Sequence, residues 1–280
     1  MEILNGRELK KKQLEQLKEK LLKLQQSLGF AVIQVGHNEA SNVYIRQKQK
    51  MAENLGYHFY HISLEDDILQ EELIHVIQEL NEDVSIDGIL VQMPLPKHID
   101  AKIVQDAIDP EKDIDGLNAL NGGKLLKGED CLLPCTPSGI MTLLHEYQIP
   151  ICGRHAVIVG RSELVGKPLA LLLLNENATV TICHSHTQNL EQYTKTADIL
   201  VCAVGKKDLI RGDMVKEGAV VIDVGMNRVD GKLYGDVTYD EVAPHCSYIT
   251  PVPGGVGQMT VSELGENVYR AHQKRIKKEL

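Results

Sequence analysis

Tyr44 and Lys48 stand four residues apart, and at helical pitch that interval brings a phenol and an amine to one face. The pair can do acid/base work, although a Tyr/Lys pair on a helix is also an ordinary surface contact. Gln92 is the one polar side chain near the end of the apolar run 89–93, where a parallel sheet presents ligand-binding groups. A satisfied strand-end amide is its plainer account. Asp113 and Asp115 lie in the turn Glu111-Lys112-Asp113-Ile114-Asp115-Gly116, where capping or solvation explains most aspartates. The string Pro251-Val252-Pro253-Gly254-Gly255-Val256-Gly257 is stiff and poor in side chains, so its backbone can press on a flat ligand or simply turn the chain.

A second group points to a nucleotide. After an apolar strand at 155–159 comes Gly160-Arg161-Ser162-Glu163-Leu164-Val165-Gly166, and a helix begins at Lys167-Pro168. A glycine-bearing turn between strand and helix lets backbone amides and the helix N-terminus approach a pyrophosphate, though two glycines also occur in such turns for conformational reasons. The spacing is not GxGxxG. The next strand, 179–183, ends in His184-Ser185-His186-Thr187, where an NAD-selective domain offers a carboxylate to the ribose. None stands there; Ser185 and His186, with Arg161, suit a 2′-phosphate, which favours NADP. Cys183, His184 and His186 alternate across a strand and do not converge, so no metal is expected.

These groups need a scaffold. At 280 residues the chain has room for about two domains, and with 43% hydrophobic and 25% charged residues it reads as an ordinary globular protein. A net charge of −9 is the wrong sign for a nucleic-acid or anionic-lipid partner. The longest apolar run, 169–174, is too short to span a bilayer and no targeting signal opens the chain, so a cytoplasmic location is expected. Six cysteines without a CxxC pair are expected to be buried free thiols.

Leucines at 14, 17, 21, 24 and 28 predict a helix stopped by Gly29. Strands follow at 30–35, 58–64 and 86–93, with helices between them at about 41–54, capped by Ser41, and 69–80. The stretch 109–134, rich in Asp, Gly, Asn and Pro, reads as an irregular crossing, and Thr136-Pro137 opens a helix. A second alternating block has strands at 155–159, 179–183, 199–204 and 219–224 with helices at 167–175 and near 190–196, and a basic-ended helix runs over 262–280. The fold class is α/β: parallel sheets built from βα repeats.

Six ordered words in this chain resemble the bifunctional methylenetetrahydrofolate dehydrogenase/methenyltetrahydrofolate cyclohydrolase family. They are Ser41-x-x-Tyr44-x-x-x-Lys48, Val91-Gln92-Met93-Pro94-Leu95-Pro96, Lys112 to Gly116, Pro134-Cys135-Thr136-Pro137-x-Gly139, the Gly160 to Pro168 turn, and Pro251 to Gly257. Gln258 departs from the pattern, which has Pro there.

The resemblance implies an N-terminal three-layer α/β domain (1–137 plus 262–280) binding folate, and a Rossmann-type doubly wound domain (138–261) binding NADP, with a cleft between them. It implies oxidation of 5,10-methylenetetrahydrofolate, then hydrolysis of the methenyl product to 10-formyltetrahydrofolate, in a homodimer acting on tetrahydrofolate one-carbon derivatives. By the same carry-over Lys48 is the acid/base group, Gln92 tunes it, Tyr44 orients the pterin and Asp115 anchors the pterin edge. Val91, Met93 and Pro253, Gly254, Gly255, Val256 and Gly257 border the folate. Gly160, Arg161, Ser162, Gly166, Ser185, His186 and Met226 lie along NADP. A dehydrogenase of another small acid and a non-catalytic binding module are the rival readings.

Overall fold

A computed structural model describes residues 1–24 and 26–279, and the chain divides into two compact units. Met1–Lys11 and Thr136–Thr260 form one; Lys12–Cys135 and the chain from Val261 onward form the other. Among the described residues no helix is long and apolar enough to cross a membrane.

The first unit is built on a six-stranded sheet in the order Glu2–Ile3, Cys246–Ile249, Ala219–Asp223, Ile199–Cys202, His155–Val159, Thr179–Cys183. Every adjacent pair is parallel. Alternate residues of its central strands feed opposite cores. Ala156, Ile158, Ile199, Val201, Val220 and Ile222 pack with Ile140, Leu144, Leu169 and Leu173 of the helices Cys135–Glu146 and Gly166–Asn175. Val157, Val159, Leu200, Cys202 and Val221 face the other way, onto Ile210, Val237 and Val242. Burial on both faces is why these strands read as unbroken apolar runs. Chain order reverses direction between His155–Val159 and Ile199–Cys202, and outside the carboxyl ends of such a pair an α/β sheet opens a crevice.

Glu2 and Ile3 pair with Tyr248 and Ile249, and the Leu4 amide donates to the Ile249 carbonyl at 2.9 Å. Residues 1–11 therefore group with this unit, not with the front half as the expected boundary had them. The pairing satisfies backbone groups that a free N-terminal segment would leave to water.

The second unit has three parallel strands ordered His58–Leu64, Gly29–Val35, Gly88–Val91. Phe30 and Val32 pack with Leu14 and Leu17 of helix Gly6–Leu21, Ile45 and Met51 of helix Glu39–Leu55, and Leu264 and Val268 of helix Val256–Glu279. Ala31, Ile33 and Val35 face Leu73, Ile77 and Val104 on helices Gln70–Glu82 and Ala101–Ala107. Helices thus cover both faces of the sheet, a three-layer arrangement.

Several local expectations are corrected. The first helix ends at Leu21, not before Gly29. Past Leu21 the amides of Lys23 and Leu24 donate three residues back, to the Lys20 and Leu21 carbonyls at 3.2 and 2.9 Å, so the helix closes in tight turns there. Gly29 instead begins a strand where a Cβ would lie 2.5 Å from the Ser85 carbonyl oxygen, so close packing of backbone demands it. The stretch 109–134 is not wholly irregular: it holds a helix, Ala119–Leu126, capped by Asn118, whose side chain accepts from the Leu120 amide at 2.8 Å. Five of the six free cysteines are buried, but Cys152 is exposed. The terminal helix runs as expected through Glu279; Leu280 lies outside the described residues.

At Gly88 an added Cβ would come within 2.3 Å of Ile114 Cγ2. That glycine lets the segment carrying Asp113 bridge to Ile89, with the Ile89 amide donating to the Lys112 carbonyl at 2.7 Å. Gly88→Ala is expected to destabilise by about 1–3 kcal/mol through overpacking. Combined with Ile114→Ala it should cost less than the sum of the two single changes, as urea unfolding of the four proteins would register. Simple additivity would refute the contact as the cause.

Candidate active site

Helix Glu39–Leu55 carries the candidate amine. Its cap is Asn38, whose side-chain oxygen accepts from the Ser41 amide at 3.2 Å; Ser41 itself lies inside the first turn. This corrects the expected cap, and it frees the Ser41 hydroxyl to donate to the Met93 carbonyl at 3.2 Å. The helix is thereby tied to the segment just after strand Gly88–Val91. On the same face lie Tyr44, 42% exposed, and Lys48, half-buried.

Lys48 Nζ donates to Gln92 Oε1 at 2.8 Å, while Gln92 Nε2 donates to the Met93 carbonyl at 2.8 Å. The second bond orients the amide so that its oxygen faces the lysine. Burial lowers the Lys48 pKa, and the charge of Asp115 opposes that shift. Asp115 shifts the other way: burial raises its pKa and Lys48 opposes the rise. The cluster is a partly desolvated amine and carboxylate, each easing the other's burial.

The two aspartates of the turn have different work. Asp113 is buried; its carboxylate accepts from the Gly116 amide at 3.1 Å, the Asn118 amide at 2.8 Å and Asn121 Nδ2 at 3.1 Å. Burial pushes its pKa up to about 6 against those bonds. Capping, not solvation, is therefore its role, and it shapes the turn that presents Asp115.

Lys112 Nζ donates to the carbonyls of Leu80 and Asp83 at the end of helix Gln70–Glu82. Asn267 Nδ2 donates to the carbonyls of Ile114 and Leu133 at 2.9 and 2.8 Å. The buried Cys135 thiol, its pKa raised well above the usual range by burial and by the charge of Asp115, donates to the Ile114 carbonyl. Sequence reasoning missed Asn121, Asn267 and Cys135 as positioning groups. Only the run of Asx residues after Asp115-Gly116 hinted at one of them.

In the other unit, strand His155–Val159 leads into Gly160, at φ +134°, where a Cβ would stand 2.4 Å from the Ala203 carbonyl oxygen. At Gly166 a Cβ would lie 2.2 Å from the Gly160 carbonyl oxygen. Both glycines are demanded by close backbone approach. The Ser162 hydroxyl accepts from the Val165 and Gly166 amides, bracing the turn that enters helix Gly166–Asn175. Strands His155–Val159 and Thr179–Cys183 pair Val159 with Cys183, so Arg161, Ser162, Ser185 and His186, all exposed, follow neighbouring strand ends. The His184 pKa is lowered by desolvation and then by the charges of Arg161 and His186, which marks the edge as electropositive.

Met226 is half-exposed, its sulfur 3.6 Å from where a Gly257 Cβ would stand. Gly254 has φ +118°, and a Cβ on Gly255 would run into the Pro251 carbonyl oxygen at 2.7 Å. Pro253, Gly254 and Gly255 lead straight into helix Val256–Glu279. The Gln258 amide donates to the Gly255 carbonyl at 3.1 Å, a bond that the proline expected here could not make.

The Lys48 pKa shift has a direct chemical reading. An amine reagent such as trinitrobenzenesulfonate, followed by peptide mass analysis across pH, should modify Lys48 with a midpoint below that of exposed lysines. Asp115→Asn should move that midpoint lower still, because the carboxylate that favours the ammonium is gone. A Lys48 midpoint equal to that of surface lysines would contradict the desolvation.

The chain was compared with known proteins. The family model "Tetrahydrofolate dehydrogenase/cyclohydrolase, catalytic domain" matches residues 4–115. The model "Tetrahydrofolate dehydrogenase/cyclohydrolase, NAD(P)-binding domain" matches residues 134–276. The bifunctional protein FolD of Campylobacter concisus is 51% identical over 282 residues, covering 99% of this chain and 100% of that protein. The crystal structure of the bifunctional FolD methylenetetrahydrofolate dehydrogenase/cyclohydrolase from Campylobacter jejuni superposes with a TM-score of 0.96 at 46% identity, covering 98% of this chain and 99% of that one. The Trypanosoma brucei methylenetetrahydrofolate dehydrogenase-cyclohydrolase, solved with NADP and an inhibitor, gives a TM-score of 0.92 at 37% identity, covering 97% of each chain. With both family models matched along most of its length and relatives of this identity, the chain belongs to the tetrahydrofolate dehydrogenase/cyclohydrolase family.

Proposed function

We propose that this protein oxidises 5,10-methylenetetrahydrofolate with NADP to the 5,10-methenyl cation and hydrolyses that cation to 10-formyltetrahydrofolate. The observation that carries the reading is the half-buried Lys48 amine, 2.8 Å from Gln92 Oε1 and within the field of Asp115. It is a proton carrier placed among groups that suit a pterin.

Bound NADP supplies a hydride acceptor. The residues present fit it: the turn at Gly160 and Gly166 is a cradle that a Cβ would fill, and no carboxylate stands among His184, Ser185, His186 and Thr187 to repel a 2′-phosphate. Gly160, Ser162 and Gly166 would border the pyrophosphate, while Arg161, Ser185 and His186 would face the ribose phosphate. Loss of hydride from the methylene carbon needs no base on that carbon, so the chain's task in this step is to hold two rings face to face. Tyr44 would pack on the pterin. Val91, Met93 and the 253–257 loop would border it, and Asp115 would accept from its amino and ring N–H groups as a charge-assisted pair.

Hydrolysis asks more of the protein. As water attacks the methenyl carbon a C–O bond forms, and Lys48, as free amine, takes the proton that the water releases. The C–N bond to one ring nitrogen then breaks as the carbinol C–O becomes the formyl C=O. The Lys48 ammonium returns its proton to that nitrogen, and the hydroxyl proton is released to solvent, so the cation's charge leaves as one proton. Desolvation enlarges the free-amine fraction at neutral pH, and Gln92 holds Nζ in place through each transfer. We further propose that the protein is a cytoplasmic homodimer, with folate held by the unit that carries Lys48 and NADP by the unit that carries Gly160.

Lys48→Met should reduce methenyl hydrolysis by about a hundredfold or more while folate still binds; normal hydrolysis by that variant would remove Lys48 from the mechanism. Asp115→Ala should weaken folate binding far more than NADP binding, and an equal loss of both would contradict the pterin-edge role. A rise in reduced-nicotinamide absorbance with methylenetetrahydrofolate and NADP separates an enzyme from a mere binder.

Cofactor choice is tested independently. Replacing Arg161 and His186 together with neutral residues should narrow the preference for NADP over NAD, read as the ratio of kcat/KM values. An unchanged ratio would dismiss the electropositive edge as its source.

A further inference from the structure

The loop after strand Ile199–Cys202 has an unusual organiser. Asp236, fully buried, lies some thirty residues further along the chain and has no part in the chemistry described above. Its Oδ2 accepts from the amides of Val204 at 2.7 Å and Gly205 at 3.0 Å, and its Oδ1 from the amide of Lys206 at 2.8 Å and from Asn227 Nδ2 at 3.0 Å. Its backbone carbonyl also accepts from the amides of Leu209 and Ile210. One residue thus gathers the segment 204–210 around itself.

Asp236 is in turn held by Asp223, the last residue of strand Ala219–Asp223. Asp223 Oδ1 accepts from the amides of Asp236 and Gly225, and its Oδ2 from the amide of Val237. Glycine is required on both sides: a Cβ on Gly225 would lie 2.2 Å from Asp236 Oδ1, and one on Gly235 would lie 1.7 Å from Asp223 Oδ2.

This loop borders the nucleotide turn directly. Ala203 is the residue whose carbonyl oxygen a Gly160 Cβ would strike, so 203–206 forms the wall opposite Gly160 at the point where the sheet reverses its chain order. Because Asp236 takes up the three successive amides, the loop offers a phosphate no free N–H there. It leaves the Val204 side chain exposed, with the half-exposed Met226 three residues past the end of strand Ala219–Asp223.

We propose that Asp236 is a positioning residue for the dinucleotide, setting the 203–206 wall of its crevice through three backbone hydrogen bonds. The proposal rests on the NADP reading above. An amide in place of the carboxylate can accept at only one of its two ends, so Asp236→Asn breaks part of the set with little change of volume.

The test measures NADP affinity by calorimetry, KM for NADP and kcat for dehydrogenation, and the rate of methenyl hydrolysis, which consumes no hydride acceptor. For Asp236→Asn, Kd and KM for NADP should rise about tenfold or more. Hydrolysis and kcat at saturating NADP should stay within about twofold, a split that general loss of folded protein does not produce. Asn227→Ala, which removes one of the four donors, should move NADP affinity in the same direction by less. If Asp236→Asn fails to fold, the Asn227→Ala variant carries the test by itself. Unchanged NADP affinity in folded variants, or an equal fall of both activities, would overturn the proposal. Wild-type protein that binds NADP but never reduces it would sink the dehydrogenase reading and leave this one standing.

Discussion

The site depends on keeping an amine only partly hydrated beside a carboxylate. Water would return Lys48 to an ordinary ammonium, and complete burial without a partner would exact several kcal/mol for the charged form. Between those limits, Gln92 accepts a hydrogen bond from Nζ and Asp115 supplies a compensating field. Much of the surrounding structure keeps this balance. Ser41 ties the lysine's helix to the segment after its neighbouring strand, Gly88 lets the aspartate's turn lie against that strand, and Asp113 and Asn267 fix the turn's backbone. Each contact is worth little alone, but a change in any of them moves the amine or the carboxylate, and the proton affinity of both follows.

The two units solve a shared problem in the same way. The ends of parallel strands leave loops whose amides need partners, and in both units a buried aspartate supplies them. Asp113 shapes the turn that offers Asp115, and Asp223 with Asp236 shapes the loop facing Gly160. A carboxylate saturated by backbone N–H groups gives a loop one geometry without needing a cation. Burial pushes Asp113 and Asp223 each up to about 6, so this rigidity is bought with a desolvated acid.

Much of the architecture was legible in the residues. Strands buried on both faces announce themselves as apolar runs, and the βα alternation implies parallel pairing. Strands His58–Leu64, His155–Val159 and Thr179–Cys183 lie where the pattern puts them. Tyr44, Lys48 and Gln92 stood out because helical spacing and strand-end placement are local properties, whereas Asp115 was set apart from Asp113 only by the family resemblance. The cap error was local, since Ser41 resembles a cap by type but Asn38 fills that place; the others came from distant segments, as where Gly29 resembles a helix stop but the Ser85 carbonyl is what demands it.

Residue types and spacing alone determined the βα plan, the amine on its helix face, the strand-end amide and a nucleotide turn without a ribose carboxylate. Tertiary structure alone decided that Asp113 holds its turn together while the charge of Asp115 acts on Lys48, that Gln92 presents its oxygen to the amine, and that Asp236 gathers a loop thirty residues before it. Spacing along a chain reports which side chains share a face of one element. Burial, amide orientation and the partners of a carboxylate depend on segments far apart in sequence, and those meet only when the sheets close over their cores.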